Sequence, residues 1–247
     1  MNIKDLTIII LTNRNDQRFI NSLKSAQIAH QVIIIDNKSE NDWSKLEKEY
    51  NFKIINSDDK LTNFSTVKNQ AIQTVKTDWV LFLDSDEELS NNATKEISKI
   101  IDLDLFDIVS IKRTDYFLGK PLKYGEPGNI NIIRLFKTKQ GKFIRNVHEV
   151  VDYSGKIGEA DFTILHYSHD SIKEFLNKIF IYAKMDSKNN MTNHQENVFQ
   201  MVTYPIAKFF LNYFIKLGFL DGYRGLVYAL IMSLHSFFVR VFYYENV

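Results

Sequence analysis

Over roughly its first 110 residues the chain alternates strand-length apolar runs with stretches whose apolar residues recur at helical spacing, and this limits the folds open to it. The runs LTIIILT (from Leu6 to Thr12), QVIIIDN, FKIINS and WVLFLD are continuously apolar, the pattern of strands buried on both faces. Between them Phe19, Ile20, Leu23 and Ala26, then Trp43, Leu46 and Tyr50, then Val67, Ala71, Ile72 and Val75 mark helices. Such alternation predicts βαβ units and an open, mostly parallel sheet with right-handed crossovers. Sheets of this kind bind ligands beyond the carboxyl ends of their strands. Thr12, Asp36 and Asp84 each close an apolar run, so all three are expected on one rim.

The fourth run ends in an acidic cluster, WVLFLDSDEELS, with Asp84, Asp86, Glu87 and Glu88 within five positions. Like charges so close need a cation or open water. An Asp-x-Asp triplet is weak evidence by itself, and Asp102-Leu-Asp104 is a second one. That second triplet follows the helical pattern Ile97, Ile100, Ile101 and reads as a solvated helix end. The first sits at the predicted ligand rim. Two carboxylates two residues apart suit Mg²⁺ or Mn²⁺, which take oxygen ligands, accept one or two from protein and leave other positions to phosphates. Lys68 and Asn69, in a helix before the fourth strand, would then lie near a metal-bound diphosphate. The plainer reading of Lys68 is an exposed helix lysine.

Composition removes several alternatives. A formal net charge of +1 over 247 residues gives no bulk attraction to nucleic acid. The absence of cysteine excludes disulfides, thiolate zinc sites and cysteine nucleophiles. The N-terminal apolar run is too short for a signal peptide, and turn residues follow it directly, so a cytoplasmic protein is expected.

Beyond about Asp107 strand-like pieces dominate: FDIVSIKR, NINIIRLFK, GKFIRNVHEVV and FTILHYSH, with a loop expected around Gly119, Gly125, Pro127 and Gly128. SIKEFLNKIFIYAKM then carries Ile172, Phe175, Leu176, Ile179 and Tyr182 on one helical face. In the last 47 residues, from Met201, 13 are aromatic, with four basic residues and two acidic. Two helices joined by LGFLDG are predicted there. Their longest charge-free run, Gly225 to Val239, has 15 residues, short of the about 20 that span a bilayer. Lys208, Lys216, Arg224 and Arg240 among so many aromatics suit a hairpin at a membrane surface. The alternative is a hairpin packed on the protein's own core or on a second subunit.

The segments IIILTNRND, IIIDNKSEND, TVKNQAI and VLFLDSDEELS, in this order and spacing, resemble the family 2 glycosyltransferases of the GT-A fold. The resemblance implies a Rossmann-like, mostly parallel α/β sheet with a β-rich acceptor half and a C-terminal helical hairpin. The implied boundaries are 1–112 for the nucleotide-sugar half, 113–170 for the acceptor half and 171–247 for the helical region. It implies Thr12, Asn15, Asp36, Asn37, Lys68, Asn69, Asp84 and Ser85 as nucleotide-sugar-binding residues. Asp86 and Asp84 would hold the metal. Two departures stand out: Asn37 occupies a position where many relatives carry a base-reading Asp, and Lys68 replaces the commoner Arg and lacks its bidentate fork.

The Glu-Asp and Gln-x-x-Arg-Trp motifs of processive polysaccharide synthases are absent. Instead Val147-His148-Glu149, Arg134-Leu-Phe136 and Leu165-His166 resemble small bacterial enzymes of the family that decorate lipopolysaccharide core or related surface glycans. Glu149 is the expected general base, with His148 beside it; Glu87 and Glu88 compete for that role. A structural alternative pairs Glu149 with Arg145. His166 is expected either as a third metal ligand or as a core histidine. The expected reaction is metal-dependent, inverting transfer from a nucleoside-diphosphate sugar, UDP-linked, to a hydroxyl of a surface glycan or lipid-linked acceptor. The expected location is the cytoplasm or the inner face of the cell membrane. Rival readings are a nucleotidyltransferase acting on sugar phosphates, which would ordinarily show a glycine-rich loop near the first strand, and a catalytically silent membrane-docking protein on the same fold.

Overall fold

The structure is a computed structural model that describes residues 2–37, 39, 41–57, 64–145, 150–190 and 198–245. Its first part alternates as the sequence predicts: β1 (Ile3–Thr12), α1 (Gln17–Ala26), β2 (Ala29–Asp36), α2 (Ser44–Glu49), β3 (Lys53–Asn56), α3 (Phe64–Thr74), β4 (Trp79–Asp84), β5 (Glu87–Leu89) and α4 (Ala93–Leu103). Strands then dominate, with β6 (Ile108–Phe117), β7 (Lys120–Pro121), β8 (Ile130–Lys137), β9 (Gly141–Ile144), β10 (Val150–Tyr153) and β11 (Ile157–His169). Helices α5 (Ile172–Asn190), α6 (Val198–Phe210) and α7 (Tyr223–Glu245) follow.

Among the described residues nine strands form one mixed sheet in the order β3-β2-β1-β4-β8-β6-β11-β5, with β7 paired to β6. The β3-β2-β1-β4 half is parallel, and β4 to β8 and β11 to β5 are antiparallel. The unbroken apolar runs have a direct cause. In β1 Ile8 and Ile10 enter one core and Ile9 the other; Val32 and Ile34 alternate with Ile33 and Ile35 in β2; Leu81 and Leu83 alternate with Val80 and Phe82 in β4. Side chains on a strand alternate faces, so a sheet covered on both sides needs apolar residues at every position. Phe19, Leu23, Trp43, Leu46 and Ile97 close the first core, and Val67, Ala71 and Phe143 close the second.

GKFIRNVHEVV differs from the single strand expected. Arg145 has φ of +68°, a left-handed conformation that ends β9, and β10 returns antiparallel to β9. His148 and Glu149 lie outside the described residues.

The chain divides into two compact units, one of residues 1–113 and 131–166, the other of residues 114–130 and 167–247. The second has its own core of Phe117, Leu122, Phe175, Ile179 and Ile231. Helix α7, at 23 residues, is long and apolar enough to cross a membrane by length and composition. Its described neighbours include α5, through Phe180 against Phe238 at 4.4 Å, and α6, through a 2.7 Å hydrogen bond from Ser233 Oγ to the Pro205 carbonyl.

Candidate functional site at the ends of the parallel strands

Strand register places the predicted rim. Thr12 lies opposite Asp36, Leu11 opposite Asp84, and Asp36 opposite Asn56, so β2, β1 and β4 end together. Thr12 is buried, and its hydroxyl donates to the Arg14 carbonyl at 2.9 Å and accepts from the Arg14 N–H at 3.0 Å, turning the chain out of β1. Asp16 then caps α1, accepting from the N–H groups of Arg18 and Phe19 at 3.1 and 3.2 Å. Within this turn Asn15 Nδ2 donates to the Asp42 carbonyl at 3.5 Å, and the Asn37 N–H donates to the Thr12 carbonyl at 2.8 Å.

Asp36 is buried and fixed from two sides, accepting from Trp43 Nε1 at 2.9 Å and from the Ser39 N–H at 3.1 Å. Each carboxylate oxygen has a second lone pair, so acceptor capacity remains for a ligand.

The acidic cluster splits into groups with different partners. Asp84 Oδ2 accepts from Arg134 Nη2 at 2.6 Å, and the same nitrogen lies 3.8 Å from Glu87 Oε1. Glu87 is wholly buried, and its other oxygen accepts from the Asp84 N–H at 2.9 Å. Burial alone would raise the Asp84 pKa; the charges of Arg134, Lys68, His166 and Arg113 outweigh it and hold the carboxyl well below the usual carboxylate range. Glu87 moves the other way, raised by burial and then by the Asp84 charge. With no solvent exposure, Glu87 cannot reach an acceptor hydroxyl. Glu88, half-buried, is also raised by desolvation.

Asp86 pairs differently. Its Oδ1 lies 3.6 Å from His166 Nε2, because β11 runs antiparallel to β5 with His166 opposite Glu87. Ser85 sits between the two aspartates, half-buried. Among the described residues no group of three or more His, Asp or Glu side chains is arranged to hold a metal. Two donors, a carboxylate and an imidazole, nonetheless fit an ion that takes its remaining ligands from phosphates and water.

Lys68 is 3% exposed, so it is no exposed helix lysine; its ammonium lies 5.0 Å from the centre of the Phe143 ring. Asn69 is occupied by structure: Nδ2 donates to the Phe143 carbonyl and Oδ1 accepts from the Phe143 N–H, both at 2.8 Å. The side chain thus pins β9 to α3. Asp104, in the second acidic triplet, closes α4 in a left-handed conformation and pairs with Lys137 at 2.8 Å.

The structure therefore brings Thr12, Asp36, Asn37, Asp84, Ser85, Asp86 and His166 to the strand ends. Sequence reasoning passed over the counter-charge that Arg134 supplies and the indole that orients Asp36. The first had a signal, since an arginine inside the apolar strand INIIRLFK needs an acidic partner.

A family model described as glycosyl transferase family 2 matches residues 8–157. An uncharacterized glycosyltransferase of Rickettsia typhi is 27% identical over 250 residues, covering 95% of this chain and 85% of that protein. Another from Rickettsia prowazekii is 27% identical over 251 residues with the same coverage. Among solved structures, residues 1–349 of S. aureus TarS in complex with UDP-GlcNAc is similar with a TM-score of 0.49 at 12% identity, covering 99% of this chain and 91% of that one.

Proposed function

Since the chain belongs to glycosyl transferase family 2, we propose that the rim of β2, β1 and β4 is the donor site of a metal-dependent, inverting glycosyltransferase acting on a nucleoside-diphosphate sugar. The observation that carries this reading is the division of the acidic cluster. Asp84 has a guanidinium partner at 2.6 Å, whereas Asp86 faces His166 at 3.6 Å, an oxygen and a nitrogen donor side by side at the strand ends.

Asp36, oriented by Trp43 and Ser39, offers acceptor lone pairs to a base bearing a ring N–H, and UDP-linked sugars are the first donors to test. Thr12, Asn15 and Asn37 shape the loop beside it. Lys68, close by on α3, adds positive charge where the diphosphate would lie. Asp86 and His166 would hold Mg²⁺ or Mn²⁺, with Asp84 and Ser85 beside them. When bound, the cation supplies the positive charge that stabilises the departing diphosphate.

Glu149 is proposed as the base that takes the acceptor hydroxyl proton, with His148 orienting it. The acceptor oxygen then forms a bond to the anomeric carbon from the face opposite the leaving group. The carbon–oxygen bond to the diphosphate breaks with its electron pair, which inverts the anomeric centre. A surface-glycan or lipid-linked hydroxyl is the proposed acceptor.

Calorimetric titration of nucleoside diphosphates with and without Mn²⁺, on wild type and Asp86→Ala, tests the donor site. Wild type should bind one of them with Mn²⁺-dependent affinity, and the substitution should abolish that dependence. A metal dependence unchanged in Asp86→Ala would show that the ion is held elsewhere.

A further inference from the structure

The helical part of the second unit leaves large apolar side chains in water where an ordinary soluble hairpin would bury them. On α6, Phe199, Val202, Ile206 and Phe210 recur three and four residues apart, hence on one face, and each is more than half exposed. Between α6 and α7 the exposure continues through Ile215 at 74%, Leu220 at 52% and Tyr223 at 59%. Scattered single apolar residues need no explanation; a run along one face and across a turn does.

This turn is firmly built. A π-helical turn (Leu211–Ile215) leads into a 3₁₀ turn (Gly218–Asp221) through Leu217 in a left-handed conformation, φ +59°. Asn212, buried, accepts from the Glu126 N–H at 2.9 Å, and the Gly125 N–H donates to the Lys216 carbonyl at 2.8 Å. Asp221 accepts from the N–H groups of Lys123 and Tyr124 at 3.0 and 2.9 Å. The α7 start packs so closely that a Cβ on Gly225 would lie 1.8 Å from the Gly218 carbonyl oxygen. The backbone is thus ordered in advance, and docking through it carries little ordering cost.

Charge around the turn is predominantly basic. The acids are engaged: Asp221 by two backbone N–H groups, Glu126 by Lys208. Around them Lys120, Lys123 and Lys216 are exposed, and Arg224 stacks on Tyr223 with its guanidinium 4.6 Å from the ring centre. Exposed apolar side chains with a collar of exposed cations on the same turn and its bonded neighbours match a bilayer surface bearing anionic headgroups, where aromatic and aliphatic side chains enter the interface and cations meet phosphate. They do not match a second copy. A two-fold interface would set this collar against itself.

We propose that the exposed α6 face and the 211–223 turn form an interfacial docking surface for an anionic phospholipid membrane. This surface stands independently of the donor-site reading and has a separate readout. Full-length protein is floated with vesicles of phosphatidylcholine alone or phosphatidylcholine with phosphatidylglycerol, at low and high salt. Wild type should float with the anionic vesicles only, and less so as salt rises. The double variant Ile215→Ser, Leu220→Ser should weaken binding by about a hundredfold or more, since six side-chain carbons that would enter the interface are lost. Because those side chains are exposed, circular dichroism should show an intact fold. Lys123→Ala with Lys216→Ala should weaken it about twenty-five-fold, roughly fivefold per cation. Absence of anionic-vesicle binding by wild type, or vesicle binding unchanged in both variants, overturns the proposal. So does a dimer in solution that the Ile215, Leu220 variant dissociates, which would make a second copy the occupant. Nucleotide titration of the same variants, expected unchanged, keeps failure here distinct from failure of the donor site.

Discussion

Arg134 is the residue on which the strand-end electrostatics turn. Its side chain is only 13% exposed and serves two acids, one of them wholly buried. Removing one partner of a buried ion pair costs more than the pair contributes net, because the remaining charge stays desolvated. Arg134→Met should therefore destabilise by about 2–3 kcal/mol, less than for a fully buried pair because Asp84 keeps a third of its side chain exposed. For a domain of this size that corresponds to a fall in Tm of roughly 4–12 °C. Arg134→Lys should fall between the two, keeping the charge but losing the planar fork. A Tm unchanged in Arg134→Met would mean that Asp84 and Glu87 find solvent or protons instead.

At the level of elements, the covered parallel half was legible because its physics is local. Continuous β-branched runs such as Ile8 to Ile10 can satisfy only a strand with a core on each face, and helical spacing in between forces crossovers. The hairpin of β9 and β10 was not legible, since GKFIRNVHEVV carries no glycine or proline at the break and Arg145 takes the left-handed conformation unaided by sequence type. Its attachment was equally hidden, because Asn69 looked like a ligand contact and is engaged by the Phe143 backbone. Asn69→Ala should cost about 1–3 kcal/mol by leaving both Phe143 backbone groups without their partner. Asn69→Asp should cost more, since it sets an anion against a carbonyl. Urea midpoints of the two variants check this, and an alanine variant as stable as wild type would show that β9 is held by its ring packing alone.

For the molecule as a whole, the near-neutral net charge of +1 conceals a strong local organisation: an acid-rich rim in one unit and a basic collar in the other. Bulk composition hinted at neither; the order of residues in WVLFLDSDEELS located the first, whereas of the collar the C-terminal segment offered only Lys216 and Arg224, since Lys120 and Lys123 lie about a hundred residues earlier in the chain. Three acids of one cluster, Asp84, Asp86 and Glu87, meet a guanidinium or an imidazole inside the chain itself. The scaffold thus carries its own resident counterion. Stripping divalent ions with a chelator should silence donor capture yet leave the melting curve where it was, and a Tm that drops on chelation would show that the ion also serves as a structural keystone. An architecture so arranged could wait, fully folded, for metal and nucleotide to arrive together.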